Sequence, residues 1–415
     1  MDSPAPAADV PDPVDPPAAP ADGTYLFGPF RMDVPTMQLR NGDHLVALTP
    51  TAFDTLLVPL PLYLDGVGLP DWQIGLILGA FGIASLVGRP LAGALSDQLG
   101  SKPVILCGTA SLLVGALGVT QTAWPPALFG LRILQAAGYV AFTTASTALI
   151  AQLAPVTRRG AAIALFGAAA NVAITLTPAL VSAGLGLLTL QGAFWLCGGL
   201  ALVAGIVVWT AIPDETVSGR RRLGLLETLT PPAPLRAAML TTALFGVSFG
   251  AFYSFLPLLA ERRGFAPVGL AYTVYGASII LTRLLTANLL DRPDRTQILA
   301  PSLLVTSIGL AGFAFAGNMP LLLASAAVMA AGSGVAHPAL IALCVDRMPD
   351  SERGRATASF YLAFDLGIGM GNWLLGPVLG SFGLTGMYLL AAGISLVGVA
   401  TTGLVKRESG RALKR

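Results

Sequence analysis

The sequence predicts an all-α membrane protein: two pseudo-symmetric six-helix bundles, the first helix degenerate, behind a short, partly disordered N-terminal segment with candidate β-strands. Three observations predict it. Only 11% of the residues are charged and 54% are hydrophobic, with a mean hydropathy of +0.73, whereas a soluble domain carries about 25% charged residues. Apolar runs of about twenty residues, the length that crosses a bilayer as a helix, recur from Leu76 to Val405. Finally, the chain repeats itself 194 residues further on.

Reading apolar runs against breakers gives spans near 73–95, 103–122, 126–151, 160–186, 192–212, 237–260, 267–290, 297–317, 320–345, 355–381 and 384–405. A poorer first span covers 44–64, where only LLVPLPLYL is uninterrupted. The 48 glycines and 31 prolines suit membrane helices, which tolerate both. Basic residues crowd alternate loops: Lys102; Arg158 and Arg159; Arg220, Arg221, Arg222 and Arg236; Arg292 and Arg295; Arg347, Arg353 and Arg355; and the tail from Lys406. The opposite loops hold only Arg262 and Arg263. Positive charge marks the inner side, so both termini are expected in the cytoplasm of an inner-membrane protein.

The repeat is carried by residues in helices and loops alike. Gly75, Gly82, Arg89 and Asp97 return as Gly269, Gly276, Arg283 and Asp291. Pro126 and Gly138 return as Pro320 and Gly332, and Pro155, Arg159 and Gly160 as Pro349, Arg353 and Gly354. The expected organisation is an acidic disordered tail over 1–23, a fragment over 24–55 and a first bundle over 56–212. A linker over 213–236, a second bundle over 237–405 and a basic tail over 406–415 complete it. The tail holds five aspartates and seven prolines with no apolar run.

Residues Gly93-Ala-Leu-Ser-Asp97-Gln-Leu-Gly100-Ser-Lys102, preceded by Arg89-Pro90, resemble the second-to-third-helix loop of the major facilitator superfamily. Gln98 and Ser101 stand where that family usually has basic residues. The fourth helix holds Arg132-x-x-Gln135-x-x-Gly138, similar to proton-coupled drug exporters, and DRMPDSERGRATASFY is similar to bacterial efflux permeases. The resemblance covers roughly residues 56–405. It implies secondary active transport of a small solute through a site between the bundles, by proton-coupled efflux or, alternatively, by uptake of a polar or anionic solute. Such a protein is not an enzyme. Its partners are the small-molecule substrate and the lipid bilayer, its working unit is a monomer, and no cofactor is expected beyond the proton motive force. In the fifth helix, Thr177-Pro178 replaces the exporters' glycine-proline pair, which weighs against antiport.

In this reading Arg89, Gly93, Asp97, Gly100, Lys102, Arg158, Arg159 and Asp291 form a gating motif. Gly93 would let helices approach closely, and Asp97 would cap a helix or pair with Arg158 or Arg159. Asp365 lies about ten residues into the eleventh span, where a charge costs roughly 2.5–3.5 kcal/mol on insertion scales. It is therefore a candidate proton carrier, or else an interhelical hydrogen bonder. Tyr361, Asp365 and Asn372 share a helical face. The repeat mate of Asp365 is Asn171, and that of Arg132 is Ala326. Arg132 is a candidate anion holder with Gln135 as companion, while His337 is a weaker candidate contact. Phe249, Phe252, Tyr253, Tyr139 and Trp373 read more readily as packing than as cavity lining. Cys107, Cys197 and Cys344 lie in apolar spans and offer no disulfide framework. No nucleotide-binding loop is visible.

Residues 24–57 stand apart. Tyr25, Phe27, Phe30 and Met32 alternate as in short strands, Asn41-Gly42 marks a tight turn, and Thr49-Pro50 starts a helix. The stretch resembles the opening of the winged-helix domain of response regulators. Its recognition helix and wing are missing and only Arg31 and Arg40 are basic, so nucleic-acid binding is not expected. A membrane-anchored DNA-binding regulator and an inactive fusion with an incomplete first helix remain as alternatives.

Overall fold

The computed structural model describes residues 24–27, 30–33, 38–41, 44–45, 49–153, 166, 173–174, 176–185, 189–212, 232–290, 295–349 and 352–412. The N-terminal strands form an antiparallel meander: β1 (Thr24–Phe27), β2 (Phe30–Asp33), β3 (Gln38–Asn41) and β4 (His44–Leu45), paired in that order. The expected strands are present, in register Thr24 to Asp33, Phe30 to Asn41 and Arg40 to Leu45.

The first span is two short helices, α1 (Thr49–Asp54) and α2 (Pro59–Gly66). Between them the amides of Leu56 and Leu57 donate to the carbonyls of Phe53 and Asp54 in tight turns. Pro59 and Pro61 lack the N–H that would continue the helical ladder, which explains the interruption.

The following helices are α3 (Asp71–Leu99), α4 (Ser101–Val119), α5 (Pro125–Leu153), α6 (176–184), α7 (Leu190–Ala211), α8 (Arg236–Arg262), α9 (Gly269–Leu290), α10 (Thr296–Phe315), α11 (Met319–Asp346) and α12 (Arg353–Ala412). Among the described residues, eight helices are long and apolar enough to cross a membrane. Gly383, at φ 67°, breaks α12 into two antiparallel arms, since only glycine adopts that conformation freely. With the arms taken separately, and with α1–α2, α6 and α9, the described helices accommodate the twelve spans expected. Gly100, at φ 89°, turns the chain between α3 and α4, while Thr189 and Asn318 cap α7 and α11 through their side chains. Trp209, Leu284 and Leu285 are about 70% exposed, as lipid-facing side chains are.

The repeat organises the packing. Inside the first bundle, a Cβ on Gly138 would sit 2.6 Å from the Gly108 carbonyl and 2.8 Å from the Leu112 amide. Inside the second, a Cβ on Gly332 would collide with the carbonyl of Ser302 and the amide of Thr306, the repeat mates of those two residues. Between bundles, Gly75 of α3 presses on Gly376 of α12, and Gly269 of α9 presses on Ser182 of α6. These two contacts are also mates. Gly79 and Gly82 continue the α3 seam against Trp373 and Gly369, where small residues let two backbones approach.

Gly93 corrects an expectation. A Cβ there meets nothing within 4 Å, so the close approach belongs to Gly75, Gly79 and Gly82 on the preceding turns.

Candidate functional site

The described contacts between bundles run from mid-helix to the end that carries the α2–α3 loop. At that end Arg262, in the last turn of α8, reaches Asp65 at 2.5 Å and Asp71 at 2.6 Å. One guanidinium thus holds the end of α2 and the start of α3.

At mid-depth lies a buried charged pair. Asp365 on α12 accepts from Arg89 on α3, at 2.6 Å to Nη2 and 2.7 Å to Nε, and from the Ser85 hydroxyl. The side chains are 16% and 5% exposed. The Arg89 guanidinium also lies 5.3 Å above the Tyr361 ring. Two hydrogen bonds from one arginine satisfy the carboxylate where hydrocarbon would otherwise reject it. Asp365, read from sequence as a candidate proton carrier or else an interhelical hydrogen bonder, does bond across helices, and its partner comes from the residues assigned to the loop motif. The motif's other described charged members, Asp97 and Lys102, do not join it. Asp97 makes no ion pair among the described residues, and Lys102 lies over the Trp209 ring at 5.9 Å. Asn171, Arg158, Arg159 and Asp291, with Thr175, lie outside the described residues.

Arg132 is buried at 7% exposure. It lies 4.9 Å from the Phe53 ring and donates to Gln135 at 3.3 Å, while its Nε has no partner. Gln135 in turn donates to the Gly115 carbonyl, which ties α5 to α4. Asn372 donates to Ser254 on α8 at 3.0 Å, and its carbonyl oxygen is unpartnered. His337 is ringed by Phe245, Phe249, Phe360 and Phe364, with centroids 5.2–6.4 Å away. The geometry around it is aromatic packing. Phe249, Phe252 and Tyr253 pack likewise with Tyr272 and Tyr275. Trp373 donates across the seam to the Leu76 carbonyl at 3.0 Å, and Tyr139 stacks on Phe53 at 4.4 Å.

Two further residues belong here. Asp54 ends α1 with 2% exposure and no side-chain hydrogen bond among the described residues. Arg283 on α9, noted from sequence only as the mate of Arg89, has a buried Nε with no partner. Their signal in the sequence was charge inside an apolar stretch.

The Major Facilitator Superfamily profile matches residues 45–293 and 238–414. An uncharacterized MFS-type transporter of Pseudomonas aeruginosa (strain LESB58) is 31% identical over 385 residues, covering 88% of this chain and 93% of that protein. The solved nucleoside transporter NupG superposes with a TM-score of 0.71 at 16% identity, covering 86% of this chain and 96% of that one. A D-xylose-proton symporter gives 0.68 at 16%, covering 85% and 94%. With profile matches spanning both halves and a relative of this coverage, the chain belongs to the Major Facilitator Superfamily.

Proposed function

We propose that this transporter is proton-coupled, and that protonation of Asp365 releases Arg89 and lets the bundles part. The observation that carries the reading is an acid of one bundle bonded to an arginine of the other within the membrane. A neutral Asp365 no longer attracts Arg89, so the pair can exist only in the unprotonated, joined conformation. With the basic loops and both termini inside, the joined α2–α3 end faces outward and the opposite end opens to the cytoplasm. The parted conformation is open to the outside, where Asp365, free of Arg89, takes up its proton; closing the outer seam returns Arg89 to it and expels the proton to the cytoplasm. Entry down about 100 mV supplies about 2.3 kcal/mol per proton. Flux into reconstituted vesicles should respond to an imposed pH gradient and lose that response in Asp365→Asn. A variant still driven by the gradient would remove Asp365 from the mechanism.

Export is the direction we adopt, on the Arg132-x-x-Gln135-x-x-Gly138 resemblance. Thr177-Pro178, where exporters carry glycine-proline, favours uptake as the second reading. Inside-out vesicles separate them, because an energised exporter accumulates solute there. The working unit is a single chain.

The order of four strands followed by a helix at Thr49 supports descent of residues 24–55 from a winged-helix opening. Here α1 packs against α5 and α7 and serves as part of the first span. The full-length protein in nanodiscs should leave duplex DNA unretarded.

A further inference from the structure

We infer that Arg283 is the substrate-binding cation of this transporter and that the transported solute is a small organic anion bearing a carboxylate or phosphate-type group. The inference rests on the transport reading and names the substrate class it lacks.

The repeat supplies the argument. Arg89 and Arg283 are mates, one on α3 and the other on α9. The contacts of their helices are mates as well, Gly75 with Gly376 and Gly269 with Ser182. The charge of Arg89 is met by Asp365 of the opposite bundle. The residue the repeat would offer to Arg283 is the mate of Asp365, and that residue is Asn171. One half of the molecule has a closed ion pair; in the other, the position that mates with the acid carries an amide.

The surroundings of Arg283 agree. Among the described residues, Tyr275, Tyr253 and Tyr361 are within electrostatic reach, with His337 nearby. None of them is an acid. Tyr275 shares a hydrogen bond with Ser333 at 2.9 Å, and the Nε of Arg283 is buried without a partner. A guanidinium does not discard its proton, and an uncompensated charge at membrane depth is expensive. An anion binding there supplies the missing half of the pair, and the planar fork of donors fits a carboxylate or phosphate edge. Tyr361 is within reach of Arg283 and stacks against Arg89, so the anion subsite adjoins the pair assigned to proton coupling.

The test is binding to the purified full-length protein, read by thermal shift and by tryptophan fluorescence. The probes are succinate, benzoate and methylphosphonate, each beside its neutral amide or ester. At least one anion should stabilise the protein in a saturable way while its neutral counterpart does not. Arg283→Gln should weaken that binding about tenfold or more, with Arg283→Lys intermediate. Asn171→Asp restores the missing acid, so it should abolish anion binding and raise the melting temperature without ligand. Flux under a pH gradient tests the coupling reading and equilibrium binding tests this one, so the two fail separately; Gly93→Ala, outside both sites, should bind the anion as the unaltered protein does. Equal response to neutral probes, no response to any anion, or full binding by Arg283→Gln or Asn171→Asp would overturn the inference.

Discussion

Arg89 and Asp365 are 276 positions apart in sequence and bond at 2.7 Å, joining two bundles that no loop holds together at that depth. The pair is present only while α3 and α12 touch. Removing one partner of a buried pair leaves the other charge stranded, at a cost of about 3–5 kcal/mol. Part of that cost here is relieved by opening, so Arg89→Gln and Asp365→Asn should both shift the population towards the conformation in which the seam is parted. Spin labels at Trp72→Cys and Phe382→Cys, both exposed and flanking the joined end, with the native cysteines replaced, should report a longer distance. Exchanging the two charges should bring it back. An unchanged distance in both single variants would show that the pair does not hold the seam.

The Arg262 clamp should matter less. Its side chain is 31% exposed, and Asp65 and Asp71 are 26% and 17% exposed. Solvent-exposed pairs are worth about 0–1 kcal/mol and are screened by salt. Arg262→Ala should lengthen the same label distance modestly at low ionic strength and hardly at all in molar salt. An effect as large in high salt as in low would mean that the arginine acts by packing.

The glycine seam leaves no such slack. A Cβ on Gly369 would lie 2.5 Å from the Cα of Gly82 and 2.7 Å from its amide nitrogen. Backbone cannot step aside as a flexible side chain can, so Gly369→Ala should prevent closure and reduce flux at least tenfold while the protein still inserts and folds. Gly93→Ala is the matched control, since nothing lies within 4 Å of the added methyl. The seam should close normally in it, with a stability gain of up to about 1 kcal/mol from better helix propensity. Cross-linking of the Trp72→Cys, Phe382→Cys pair distinguishes the two variants.

These contrasts explain what the sequence could and could not disclose. Span lengths, the degenerate first span and the repeat were legible because hydrocarbon imposes length and apolarity on every helix. Asp365 was legible as a charge out of place. Its pairing was not, because Arg89 reads locally as the edge of a loop motif and only the docking of α3 on α12 brings it to the acid. Gly93 misled for the same reason: a glycine in a motif looks like a contact point, while contact depends on which turn meets the neighbouring helix. The open charge of Arg283 emerges only when Asp365 is known to be the partner of its mate, which turns Asn171 into a missing acid.

Asp54 provides the last test, on α1 at the opening of the first span. It is 2% exposed with no hydrogen-bond or ionic partner among the described residues, directly before the break between α1 and α2. Phe53 beside it is anchored, stacked on Tyr139 and covered by Arg132, so the backbone holds the carboxyl in place. An acid buried without partners is a cost to the fold, which a role in the transport cycle would explain. Asp54→Asn should therefore raise the melting temperature, corresponding to about 1–3 kcal/mol, and reduce flux. Asp54→Leu should stabilise further and abolish flux. A stabilised variant with full flux would take Asp54 out of the transport cycle. A destabilised one would show that Asp54 is bonded in the folded membrane protein and is not an open group.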